Sequence, residues 1–121
     1  MCILVYDEDK KQRIATVRMI EQANREADYE TDVYSFDDPG RMIECARNDY
    51  VDVAFISMED RLGKGLFLAR HLKEEAPEIN LIPMSEKLRF GKELLNLRVS
   101  GFILGERTKD KVLDELMNLR Y

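Results

Sequence analysis

Five short apolar runs, each followed by a longer amphipathic stretch, constrain this chain more than any other feature. The runs are Ile3-Leu4-Val5-Tyr6, Val33-Tyr34-Ser35-Phe36, Val53-Ala54-Phe55-Ile56, Leu81-Ile82-Pro83-Met84 and Phe102-Ile103-Leu104. The first, third and fifth are nearly unbroken in apolar residues, as strands covered on both faces must be. Between the runs, apolar residues recur at helical spacing. Ile14, Val17, Ile20 and Ala23 follow Asp9, a residue suited to capping a helix start. Asp37-Asp38-Pro39 places an acidic cap before a first-turn proline, with Met42, Ile43 and Ala46 forming an inner face. Leu66, Ala69 and Leu72 mark a third helix ending before Pro77. A fourth is expected over Leu88 to Val99, and a fifth begins after Thr108 and aligns Val112, Leu116 and Leu119. Alternation of this kind gives parallel strands joined by right-handed crossovers, hence an α/β (βα)5 three-layer sandwich. The 121 residues suffice for one domain, 1–121. In such sheets, sites form in the loops that leave the carboxyl ends of the strands.

Composition works by exclusion. Hydrophobic residues make up 45% and charged residues 36%, the balance of a soluble globular protein. No apolar run approaches the ~20 residues that span a bilayer, so no membrane partner is expected. MCILVYDEDKK reaches charge too early for a secretory signal. Cys2 and Cys45 lack metal-site spacing and read as reduced thiols of a cytoplasmic protein. Net charge is −5, with Lys and Arg scattered among acids, which argues against direct nucleic-acid binding by this domain.

At the end of the first run stand Asp7, Glu8 and Asp9. Two unit charges 4 Å apart repel by about 4 kcal/mol at an effective dielectric of 20. Either a hard cation such as Mg²⁺ sits among them, or Asp9 caps the helix and the other two face water.

The order of these segments resembles response-regulator receiver domains of the CheY-like family. ILVYDED is similar to their first-strand signature, and DVAFISMED with RLGKG to their third strand, loop and following glycine. INLIPMSE and SGFILGE are similar to their fourth and fifth strands. The spacing from Ser85 to SGFIL, and the closing TKDKVLDELMNLRY, look most like receivers that precede LytTR-type DNA-binding domains. The resemblance covers essentially the whole chain. It implies strand order 2-1-3-4-5 (CheY/flavodoxin-like) and a place in bacterial two-component phosphorelay signalling. A LytTR-type domain outside this chain would make it part of a transcription regulator; a natural single-domain protein is the alternative.

Receivers of this family take a phosphoryl group from a histidine kinase onto an aspartate ending the third strand. An acid pair holds Mg²⁺, and a strand-four hydroxyl and strand-five lysine contact the phosphoryl oxygens. Carried over to this sequence, the acid pair falls on Asp7 and Glu8 and the hydroxyl on Ser85. The phosphoacceptor position falls on Ser57, the lysine position on Gly105, and the proline usual after it on Glu106. A carboxylate with pKa about 3.9 is ionised at neutral pH, whereas an unassisted serine is protonated and needs a base. No histidine lies near a matching strand end, and a glycine offers no cation. The expectation is a pseudo-receiver: no enzyme, no cofactor, and Mg²⁺ at most weakly held at a vestigial Asp7/Glu8 site. The alternatives are a phosphoryl-accepting receiver with Mg-dependent chemistry, or a small-ligand sensor at the vacated pocket. Glu59 and Asp60 are candidate extra metal donors or a solvated loop. Lys64 and Lys87 are surface charges or, less simply, substitutes for the missing lysine.

In the family, signals leave through helix four, strand five and helix five. The fourth helix carries two apolar stripes, Leu88/Gly91/Leu95 and Phe90/Leu94/Leu97, and Phe102 stands at the switch-aromatic position. One stripe suffices to pack a helix, so the other is a patch for a protein partner or a symmetric dimer, unless both are buried on a wide face. The candidate partner surface is Leu88, Phe90, Leu94, Leu97 and Phe102. Pro83 cannot donate a ladder hydrogen bond in an interior strand, so strand four is expected to be short or distorted before Ser85.

Overall fold

The computed structural model describes residues 1–121 as five strands and five helices in strict alternation. The strands are β1 (Cys2–Tyr6), β2 (Asp32–Phe36), β3 (Val53–Ser57), β4 (Asn80–Ser85) and β5 (Ile103–Leu104). The helices are α1 (Lys10–Ala27), α2 (Pro39–Asn48), α3 (Lys64–Glu75), α4 (Gly91–Asn96) and α5 (Lys109–Leu116). All pairings are parallel and the order is β2-β1-β3-β4-β5, as the sequence resemblance implied.

Side chains alternate across a strand, and the sheet therefore has two apolar faces. Leu4, Ala54, Ile56 and Leu81 pack with Met42, Leu68, Leu72 and Leu94 beneath α2, α3 and α4. Ile3, Val5, Phe55 and Ile82 pack with Ile20, Ala23, Val112 and Leu116 beneath α1 and α5. Burying each such aliphatic or aromatic side chain contributes about 1.5–3 kcal/mol. Asp9, Asp38 and Thr108 cap α1, α2 and α5, accepting from the backbone N–H groups of Gln12, Arg41 and Lys111.

Three local expectations give way. In α1, Ile14 is exposed and Thr16 is buried in the helical stripe, for a reason that lies at the site. Helix α4 spans only Gly91–Asn96 rather than Leu88–Val99, because Phe90 (φ 55°) and Arg98 (φ 54°) adopt left-handed backbone at its two ends. A bulky residue resists that conformation. Here it is held by Arg89, whose guanidinium donates to the carbonyls of Met58 (2.8 Å) and Asp60 (3.2 Å), while the Phe90 ring packs against the core.

Strand β4 is not shortened by Pro83; it is six residues long and Pro83 pairs in register with Ile56. Alternate residues of a strand turn their backbone groups to opposite neighbours. The Met84 carbonyl accepts from Met58 on the β3 side, whereas those of Leu81 and Ser85 accept from Ser100 and Gly105 on the β5 side. Pro83 therefore faces β5, and its missing N–H falls before the first paired β5 residue, Ile103. The proline shortens β5, not β4.

Helix α3 approaches the end of β3 through Gly65, where an added Cβ would stand 2.4 Å from the Ser57 carbonyl oxygen. That oxygen is main chain and cannot swing aside. Gly65→Ala is expected to destabilise the protein by about 2 kcal/mol, measured by urea denaturation, while Gly63→Asn, in an open left-handed position, costs under about 1 kcal/mol.

Candidate functional site

The carboxyl ends of β1, β3, β4 and β5 bring Asp7, Ser57, Ser85 and Gly105 to one edge of the sheet, as the sequence placed them. Asp7 follows the last residue of β1 and is buried. Its Oδ1 accepts from the Asp9 N–H at 2.9 Å, and its Oδ2 from Nη1 of Arg107 at 2.5 Å. The same nitrogen donates to Oγ1 of Thr16 at 3.0 Å, and that hydroxyl donates on to the Gln12 carbonyl at 2.8 Å. Arg13 donates to the Asp7 carbonyl at 2.9 Å. Arg107 is nearly as dry as its partner, with side-chain exposures of 10% against 5%. The buried threonine of α1 is thus the third member of an Asp7–Arg107–Thr16 group.

Most neighbouring carboxylates are also engaged by the protein. Glu8 turns outward to Lys64 Nζ, 2.6 Å away and half exposed, a pair that adds little to stability. Asp9 caps α1. Asp60, a candidate metal donor in sequence, instead binds the start of α3, accepting from the N–H groups of Leu62 (3.1 Å), Lys64 (2.8 Å) and Gly65 (3.2 Å). Glu59 accepts from the Glu86 N–H at 2.5 Å, tying the β3 and β4 loops together.

The two hydroxyls are buried. Ser57 Oγ accepts a long bond, 3.4 Å, from the Glu59 N–H, and Ser85 Oγ donates to the Lys87 carbonyl at 2.5 Å. Lys64 and Lys87 do not supply a cation to the pocket: the ammonium of Lys64 belongs to Glu8, and Lys87 contributes only its carbonyl. Gly105 is more than a missing side chain. Its φ of +81° is left-handed and strained for any other residue, and its N–H closes β5 onto the Ser85 carbonyl at 2.8 Å. Beyond it, Lys111 Nζ ties the loop by donating to the carbonyls of Leu104 (3.0 Å) and Glu106 (2.7 Å). A hollow of about 200 Å³ remains between Asp7, Gln12, Glu59, Ser85, Gly105 and Arg107. A second, of about 170 Å³, lies by Ser57 and Tyr6. The Tyr6 hydroxyl at its wall has no hydrogen-bond partner, and burial, then Glu8, pushes the phenol well above its ordinary range.

Asp7 and Glu8 line the same smaller hollow, but each carboxylate already has a cationic partner, Arg107 and Lys64. A guanidinium occupies the buried oxygen of Asp7, and an approaching divalent cation would meet that charge at close range. Arg107 and Thr16 were not singled out in the sequence. The available signals were an arginine two residues past Gly105, and a threonine interrupting an otherwise apolar helical face.

On the α4–β5–α5 side, the anticipated surface divides. Leu94 is 1% exposed and belongs to the core, which corrects its assignment to a partner surface; Phe90, Leu97 and Phe102 are half-buried against the same core. The short α4 turns one stripe inward, leaving Leu88 and Leu95 exposed at 65% and 76%, with Leu104 of β5 also exposed.

Neither the models of known protein families nor the sequences of curated proteins match this chain. Solved structures do. The response regulatory domain of protein mrkE from Klebsiella pneumoniae is similar with a TM-score of 0.82 at 16% identity, over 98% of this chain and 94% of that one. A response regulator from Thermotoga maritima gives 0.77 at 17%, over 96% and 93%. The REC domain of AraT from Geobacillus stearothermophilus gives 0.75 at 18%, over 96% and 89%. The chain thus has the CheY-like receiver fold. At these identities the likeness is one of architecture.

Removing one partner of a buried ion pair strands the other. Arg107→Ala is expected to cost about 3 kcal/mol in chemical denaturation, and adding Asp7→Asn to it recovers part of that loss. A second expectation concerns pH. Burial pushes the Glu115 carboxyl, on α5 over Gly101, above its ordinary value. An acid raised by folding binds protons more readily in the folded state, so stability grows as pH falls through that raised value. Glu115→Gln should remove this increment in pH-dependent thermal melts.

Proposed function

We propose that this chain is a receiver-type module of two-component signalling in the cytoplasm whose conformation is set by an internal ion pair instead of by phosphorylation. The observation that carries this reading is Arg107, bound to Asp7 Oδ2 at 2.5 Å in the dry corner where the family holds its metal. The guanidinium neutralises Asp7 permanently, so the acid corner needs no cation, and Mg²⁺ is neither required nor more than weakly held. Ser57 at the acceptor position carries no charge and has no base, and Gly105 has left the strand conformation that would aim a lysine at it. A phosphoryl group on Ser57 would enter a hollow lined by Asp7, Glu8, Asp9, Glu59 and Asp60, where the nearest cations, Arg107 and Lys64, are already paired with Asp7 and Glu8.

The module then acts by contact rather than catalysis. Leu88, Leu95 and Leu104 offer apolar surface on the α4–β5–α5 side to a protein partner or a second copy. Within a longer regulator the same side would hold a LytTR-type DNA-binding domain, in line with the sequence resemblance.

Incubation with acetyl phosphate and Mg²⁺ followed by intact-mass measurement is the direct test. The mass is expected to stay unchanged, and wild-type protein should give the same amide spectrum with and without Mg²⁺. An added phosphate that hydroxylamine removes would mean an acyl phosphate has formed, and the reading would fall.

A further inference from the structure

At the opposite, amino-terminal end of the sheet, two hollows of about 470 and 370 Å³ adjoin, sharing Asp49 and Tyr50. The larger lies between the ends of α2 and α3, with buried Ala46, Val51 and Ile79 in its lining. Tyr50 stands between them in the α2–β3 connection and is 79% exposed. Around this apolar floor, Asp32, Asp49 and Glu78 take part in no ion pair, while Glu75 is held by Arg47 at 2.8 Å. The negative field reaches the second hollow. The Cys2 thiol there is pushed up first by burial and then by Cys45, Asp52, Asp49 and Asp32.

We propose that this groove docks an arginine-bearing segment of a partner protein, with the guanidinium meeting Tyr50 and the unpaired carboxylates of Asp49 and Glu78. The groove combines three features that arginine matches together. Its methylene stem covers apolar surface while its head stays at the rim. Its planar, weakly hydrated cation stacks on a tyrosine face. The same plane presents two N–H groups to a carboxylate. A lysine ammonium supplies the charge without the stacking, and a nucleic-acid backbone is repelled. This surface lies at the far end of the strands from Asp7 and Arg107, so the proposal stands whether or not the chain accepts phosphate.

The test uses a short Gly-Ser peptide carrying one arginine between two leucines, titrated into isotope-labelled protein and followed by amide and tyrosine ring resonances. Shifts are expected at Asp49, Tyr50, Val51, Glu78 and Ile79. Replacing the arginine by citrulline should abolish them, and replacing it by lysine should weaken binding several-fold. Asp49→Asn with Glu78→Gln should weaken binding about tenfold, as should Tyr50→Ser at its exposed position. Glu21→Gln with Asp114→Asn makes the same charge change elsewhere and should leave affinity within about twofold. Equal losses in the two double variants, shifts spread over the whole acidic surface, or no shifts with the arginine peptide would each overturn the proposal.

Discussion

The contact between Asp7 and Arg107 organises everything at the carboxyl end of this sheet. A carboxylate at the end of a buried strand is costly unless a positive charge accompanies it into the same dry space. In this chain that charge is covalently part of the β5–α5 connection, and it brings α1 with it through Thr16. Three elements distant in sequence are thereby fastened at one point, and the fastening does not depend on what the solvent contains.

Once that corner is neutral, the surrounding acids become free for structural duties. Asp9 and Asp60 serve helix starts, Glu59 bridges two loops, and Glu8, at the wall of the smaller hollow, pairs with Lys64. The left-handed backbone at Gly105 belongs to the same arrangement. It ends β5 after two residues and leads the chain toward Arg107.

The periodicities made the fold legible because they report burial: the first and third runs, buried on two faces, became strands, as did the more exposed second and fifth, and three of the five helices, α1, α2 and α5, began where their caps placed them. What the sequence concealed depended on single backbone or side-chain choices. The left-handed Phe90 truncated α4, and its spacing alone gave no sign, since Leu88 and Leu95 fit a helical stripe as well as Leu94 does. At the site, Ser57, Ser85 and Gly105 were readable from position, whereas Arg107 was not. An arginine in a charged loop looks like solvated surface until its partner, a hundred residues earlier in the chain, is known to lie beside it.

Pro83 has an effect that reaches past the strand it occupies. By withholding one donor on the β5 side, it leaves the sheet with a border only two residues deep there, against five along β2. A border so short cannot template an added strand from another molecule. Recognition on that flank has to be made by side chains, and main-chain recruitment, with its hazard of open-ended association, is confined to the β2 rim.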